Sequence, residues 1–228
     1  VELIVMPEHQ RGFWIAYCDS PGPLEKNGTT FYAISPTPKD WSPERAATFY
    51  REYNDHMLRN LTIHEAMPGH YLQIAHANKY EATTPLRAII SSGTFVEGWA
   101  TYAEQLMVET GFGGPELQLQ QLKMRLRLNI NAIIDQKIHT AGMTEEEAIT
   151  MMMNEGFQEE AEAAGKWTRA CLTSTQLSTY YVGNIEVNAL RRDYEAARGE
   201  NFTFREFHDK LLSFGSPPPK YVRQLLDL

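Results

Sequence analysis

From Ser42 to the end of the chain, apolar positions recur at helical spacing, whereas the first forty residues follow another rhythm. "ELIVM", "GFWIAYC" and "TTFYAIS" are short runs rich in β-branched and aromatic residues, separated by "PEHQR" and "DSPGPLEKNG". That pattern predicts two or three short strands joined by turns.

Beyond Ser42 the punctuation is that of helices. Ser42-Pro43 sets a capping hydroxyl before a proline at the first helical position. Thr144 with Glu147, and Thr203 with Glu206, have the form of capping boxes, and Gly215 stands where the second of these helices should stop. "SPPPKYVRQLLDL" predicts a last short helix after a proline break. In "LKMRLRLNINAII" the residues Leu122, Met124, Leu126, Leu128 and Ile130 alternate as in a strand, while Leu119, Leu122, Leu126, Ile130 and Ile133 form a helical stripe. The Gln, Lys and Arg fillers are good helix formers and the run exceeds ~20 residues, so a helix is expected. The expected fold is mainly α: short strands over 1–40 packing on a helical domain over 41–228.

Composition narrows the function classes. A chain of 228 residues can bury a substantial core, as one large or two small domains. The net charge of -8 argues against nucleic-acid binding, which needs a basic face. No apolar run approaches the ~20 residues of a membrane span. Cys18 and Cys171 belong to no C-x-x-C pattern and are read as two free core thiols in preference to a disulfide, which fixes no compartment. The chain starts at Val1 without a cap, a signal peptide or a polar tail. It is therefore expected to be a piece of a longer protein, and its localisation stays open.

The chemistry concentrates in "TIHEAMPGHYLQ", residues 62–73. A catalytic zinc ion takes three protein ligands and keeps a position open, with a carboxylate nearby to accept a proton from water. In the short motif H-E-x-x-H the two histidines lie four apart on one helix face. Here His64 and His70 are six apart, which puts them roughly 240° apart on a regular helix at ~100° per residue. Pro68 has no N–H for the carbonyl of residue 64, and Gly69 tolerates backbone angles other residues avoid. A bulge between Glu65 and His70 is therefore expected to bring His70 onto the face of His64. The competing reading makes Pro68-Gly69 a plain helix end beside unrelated histidines.

Glu97, in "SSGTFVEGWATYAEQLM", tips the balance. It lies 27 residues past His70, enough for a helix to finish and a second to return antiparallel. Two histidines and one glutamate form a recognised catalytic zinc set. Glu104, seven residues on and about the same face, is the rival ligand, and His76 is the fallback if no bulge forms.

"HEAMPGHYLQ", "FVEGWATYAEQL", "IIDQKIHTAGMTEEEAITMM" and "FHDKLLSFGSPPP" resemble the C-terminal half of the bacterial DUF885 proteins, from about residue 20 to the end. These are grouped with gluzincin-type metallopeptidases related to the thimet oligopeptidase and angiotensin-converting-enzyme folds. The resemblance implies a largely helical fold, His64, His70 and Glu97 as ligands of a zinc ion (Zn2+), and Glu65 as general base. It also implies small peptides as substrates and an N-terminal helical half that completes the cleft.

A tyrosine of the family pattern aligns with Tyr180 in "TQLSTYYVG", with Tyr181 as rival, and would steady the oxyanion. Asp135 and His139 are four apart on one helix face. The family's D-x-x-x-H implies that His139 faces the cleft, while a histidine closing a helix C-terminus is the alternative. Arg191 and Arg192 are expected in surface salt bridges, and His9, His56 and His208 at surface or structural positions. A domain that keeps the fold and the metal without catalysis is the rival function. A Ser or Cys nucleophile finds no G-x-S-x-G or comparable motif.

Overall fold

In a computed structural model, residues 1–11, 15–23, 25, 27–81, 84, 86 and 89–228 are described. The fold is mainly α with a small three-stranded sheet at its start. Strands β1 (Glu2–Val5), β2 (Ala16–Asp19) and β3 (Phe31–Ile34) assemble in the order β1-β3-β2. β3 runs parallel to β1, pairing Leu3 with Tyr32, and antiparallel to β2, pairing Cys18 with Tyr32. The expected strand "GFWIAYC" is thus represented by its second half, and its residues 12–14 lie outside the described residues. Tyr32 and Ala16 turn inward against Ala66, and the Tyr32 hydroxyl lies 3.3 Å from Thr62 Oγ1. The sheet is thereby seated on the helix that carries His64.

The helices are α1 (Pro43–Glu52), α2 (Asp55–Glu65), α3 (His70–Ala77), α4 (Gly93–Glu109) and α5 (Gly114–Ala141). They continue with α6 (Glu145–Asn154), α7 (Glu160–Leu172), α8 (Gln176–Arg198), α9 (Phe204–Leu212) and α10 (Pro219–Leu225). Ser42 caps α1, accepting from the Arg45 amide, and Thr144 forms a full capping box with Glu147. At α9 only half of the expected box exists. Thr203 accepts from the Glu206 amide, but the Glu206 carboxylate accepts from the Tyr194 hydroxyl at 2.7 Å instead of reaching back. Helix α9 stops at Leu212, and Gly215 follows with φ +77.

Two apolar clusters hold the bundle. One joins α4, α8, α9 and α10 through Phe95, Trp99, Leu190, Tyr194, Phe207 and Val222, and the other joins α5, α6, α7 and α8 through Ile130, Ile134, Met152, Ala163 and Leu177. Helices α4 and α8 approach closely because glycine meets glycine. A Cβ on Gly98 would lie 2.6 Å from the Gly183 carbonyl group, and one on Gly183 would lie 2.2 Å from the Thr94 oxygen.

Helix α5 is continuous, but its expected stripe is mostly not the buried one. Leu119, Leu122, Leu126 and Ile133 are exposed, at 66%, 48%, 38% and 40%. Only Ile130 of that set is buried, and the inward face holds Gln121, Arg127, Asn131 and Asp135 among Leu117, Leu128 and Ile134. This face is polar for a physical reason: Arg127 and Asn131 form part of a cleft wall, and Asp135 caps α8. Of the two cysteines, Cys18 is half-buried and Cys171 exposed, and both are free thiols. The expectation of two core thiols fails at Cys171, which is exposed although Ala170 beside it is fully buried. Among the described residues no helix is long and apolar enough to cross a membrane.

Candidate metal centre

The chain between His64 and His70 is a break between two helices, not a bulge within one. The last helical bond of α2 runs from the Ala66 amide to the Thr62 carbonyl. Pro68 follows a cis peptide and cannot donate, and the Gly69 amide reaches back to the Ile63 carbonyl at 2.9 Å. A new helix then starts, with the Gln73 amide donating to Gly69. Glycine is required at 69 by crowding: a Cβ would stand 1.9 Å from the His64 oxygen and 2.3 Å from that of Ile63. The Trp99 indole N–H of α4 donates to the Pro68 carbonyl at 2.8 Å and holds the corner from the other side.

This corner turns His70 back onto His64. The two imidazole rings lie 4.7 Å apart at 86°. Nε2 of each is 3.4 Å from the same oxygen, Oε2 of Glu97. The three atoms all lie within 4.8 Å of one another, the one such group of His, Cys, Asp or Glu among the described residues. His76, on the last turn of α3, is not part of it. The run Glu97-Gly98-Trp99-Ala100 has a task for each residue: an inward carboxylate, a helix contact, the clamp on Pro68, and a fully buried small side chain.

The donor set fits a metal ion. Glu97 Oε2 is buried with no hydrogen-bond partner, although it points at two imidazoles. With zinc–ligand distances of about 2.0–2.2 Å, two ligand atoms at a tetrahedral angle stand roughly 3.4 Å apart, which matches both Nε2–Oε2 separations. Burial opposes charge on Glu97, yet the two imidazoles of His64 and His70 facing its oxygen hold its carboxyl well below the usual range. Burial likewise opposes charge on His64, but Glu104 and Glu97 outweigh it and hold the imidazole above its usual value. Such a pocket stabilises positive charge at its centre.

Glu104 is not part of that group but holds His64 from behind. Its Oε1 lies 2.6 Å from His64 Nδ1, and its Oε2 accepts from the Asn60 amide at 2.8 Å. The carboxylate fixes the tautomer that presents Nε2 to Glu97. His70 Nδ1 is buried without a partner among the described residues. The seven-residue spacing from Glu97 placed Glu104 near the site, but sequence alone did not tell that it meets His64 Nδ1 instead of joining the group.

Glu65, at the end of α2, lines a cleft of about 250 Å³ shared with His64, His70 and Glu97. Tyr180 lines it too, its ring 6.3 Å from that of His64 and nearly parallel to it. Its hydroxyl oxygen accepts from Arg169 Nη2 at 2.9 Å and from Gln176 Nε2 at 3.2 Å, so its own proton is left to donate into the cleft. Burial, and then the Glu97 charge, push the Tyr180 phenol upward. Tyr181 is 37% exposed and does not line the cleft.

His139 is not brought to this site. Its Nε2 lies 3.0 Å and 2.7 Å from the carbonyls of Ala170 and Thr173, which can only accept, so the imidazole donates to the end of α7. Asp135, 3.9 Å away, is occupied by the amides of Thr175 and Ser178 and the Ser178 hydroxyl at the start of α8. The helix-end reading of His139 therefore holds over the cleft-facing one. Arg191 pairs with Glu109, and His208 sits against Trp99 with its Nε2 2.8 Å from the Tyr102 hydroxyl. Sequence reading gave no sign that Arg127, Lys166, Arg169 and Cys18 also line the cleft.

Comparison with known proteins adds the family. No curated protein matches. A solved structure described as "a putative lipoprotein of unknown function", from Shewanella oneidensis, is 42% identical with a TM-score of 0.85, covering 100% of this chain and 40% of that one. Another, "the putative lipoprotein from Colwellia psychrerythraea", is 27% identical with a TM-score of 0.86, covering 99% and 37%. The chain thus spans about two fifths of the length of the structures it matches. The family described as "Bacterial protein of unknown function (DUF885)" matches residues 1–226, further toward the start than the motifs alone suggested. The chain belongs to the DUF885 family.

Proposed function

We propose that this chain carries the catalytic centre of a zinc-dependent peptidase that hydrolyses small peptides. The observation that carries the reading is the convergence of His64 Nε2, His70 Nε2 and the unpartnered Glu97 Oε2 in a cleft that Glu65 also lines. His64, His70 and Glu97 would hold the ion, which supplies Lewis-acid activation of water and of the scissile carbonyl when bound. Glu65 takes the proton of the attacking water and returns it to the leaving amine. The Tyr180 hydroxyl, its lone pairs occupied by Arg169 and Gln176, directs its proton to the oxyanion. Glu104 keeps His64 in the ligating tautomer throughout. A gluzincin-type peptidase uses this division of labour, and the wall opposite the site would come from the rest of the full-length protein.

The test is metal content and peptide turnover of the full-length protein, wild type and Glu65→Gln. One zinc per chain is expected in both, with cleavage of a mixed peptide library reduced by about 10²–10⁴-fold in the variant. Bound zinc without Glu65-dependent cleavage would sink the peptidase reading and leave a metal-binding scaffold. A folded protein that takes up no metal would remove the site itself.

A further inference from the structure

Helix α5 carries apolar residues on the side where a surface helix is ordinarily polar. Leu119, Leu122, Leu126 and Ile133 are exposed, while Gln121, Arg127, Asn131 and Asp135 are buried. The exposed set is spaced three, four and seven residues apart, and the exposed Asn129 fills the one position between. That is a heptad seam, two repeats long. At ~100° per residue it stands roughly 160° around the axis from Met124, Arg127, Leu128 and Asn131, which line the cleft. The seam lies on the back of the cleft wall.

Its shape selects what covers it. An apolar row repeating about every 3.5 residues stays in line with a second helix laid along it. Gln118, Arg125 and Gln136, all exposed, border the row, which leaves too narrow an apolar arc for a lipid surface. Coiled coils between separate chains are sustained over about three to four heptads. Two repeats therefore favour a helix that is already tethered and present at high effective concentration. The matching structures have the chain length for such a tether. This chain is covered almost in full by both, yet it spans only 40% and 37% of theirs, so more than half of each polypeptide lies outside the match.

We propose that Leu119, Leu122, Leu126 and Ile133 form a docking seam for an α-helix of the same polypeptide, from the part of the full-length protein outside these 228 residues. The helix lies lengthwise on α5, on the side away from the cleft. This surface is distinct from the cleft's opposite wall, and the proposal depends neither on the metal nor on the peptidase reading.

The test is hydroxyl-radical footprinting of the full-length wild-type protein, followed by photo-cross-linking. Leu119, Leu122 and Leu126 are expected to be oxidised at least about 10-fold more slowly than in the same protein held in denaturant. Oxidation at close to the denatured rate overturns the seam, and it needs no substitution to be seen. A benzophenone side chain is then placed at Leu122 or, in a second protein, at the exposed Asn129. Each is expected to give a product of monomer mass, linked to a segment beyond the 228 residues whose apolar positions recur at helical spacing. A product of dimer mass makes the occupant a second copy and overturns the proposal. Links confined to residues 1–228, or no link from either position, overturn it as well. Neither readout involves metal or turnover, so a failure of the peptidase reading leaves both measurements standing.

Discussion

Glu104 Oε1 lies 2.6 Å from Nδ1 of His64, and this buried contact determines which imidazole nitrogen faces the cleft. Carboxylates behind ligating histidines are worth roughly 10–100-fold in metal affinity. Glu104→Gln, which keeps the shape and loses the charge, should weaken zinc binding about 10-fold. Glu104→Ala, which leaves Nδ1 and the Asn60 amide without their acceptor, should weaken it more. A competition titration against a chromophoric chelator reads both, and unchanged affinity in Glu104→Ala would rule out the anchoring role.

The Gly98–Gly183 contact predicts a packing defect with a functional echo. Gly98→Ala forces α4 away from α8, because its Cβ would meet backbone that cannot rotate aside. Overpacking of this kind costs about 1–3 kcal/mol. Glu97 is carried by α4 and Tyr180 by α8, so zinc affinity should fall together with the denaturant midpoint. A stable Gly98→Ala protein with unaltered metal affinity would contradict the close approach.

Glu52 and Arg51 are neighbours with opposite expected sensitivities. Glu52 is fully buried and accepts from Arg127, from Lys123 at 2.9 Å and from the Glu159 amide at 2.9 Å. Glu52→Ala strands those donors and should cost about 3–5 kcal/mol. Arg51 pairs with Glu159 at 3.0 Å on the surface, and Arg51→Ala should stay within about 1 kcal/mol. Urea denaturation of the two variants checks the contrast, and equal losses would refute it.

His208 gives the stability a pH slope. Burial, and then the charge of Arg191, lower its pKa to about 4, while the unfolded chain takes the proton near pH 6.5. Between those values the unfolded state binds more protons, so stability is complete above about pH 6.5 and declines as pH falls toward 4. Allowing for its partial solvation, His208 should account for about 1 kcal/mol lost between pH 7.5 and 5. Chemical denaturation with chelator present, at both pH values, should show a smaller decline in His208→Gln. An identical decline in both proteins would exclude His208 as its source.

The legible parts of the sequence were those governed by local rules. Ser42, Thr144 and Thr203 announced helix starts because a hydroxyl and the amides it caps are neighbours in the chain. His64, His70 and Glu97 were readable as a set because zinc restricts donor types and number more than it restricts spacing. The bulge was misjudged in degree, since Pro68 and Gly69 end one helix and start another. The buried face of α5 was missed because apolar periodicity assumes an apolar destination, whereas Arg127 and Asn131 face a polar cleft. The partners of His139 and Glu104 were not legible for a related reason: at the end of α7 and on α2, they are 31 and 40 positions distant.

The corner at residue 69 has a use in scanning genomes. Since any Cβ there would fall inside the carbonyl oxygen of His64, the residue before the second histidine is a stricter discriminator than the four-residue gap itself. A pattern asking only for His-Glu, four arbitrary residues and His would gather many chains unable to make this turn. One that demands glycine immediately before the last histidine filters by shape, using nothing but letters.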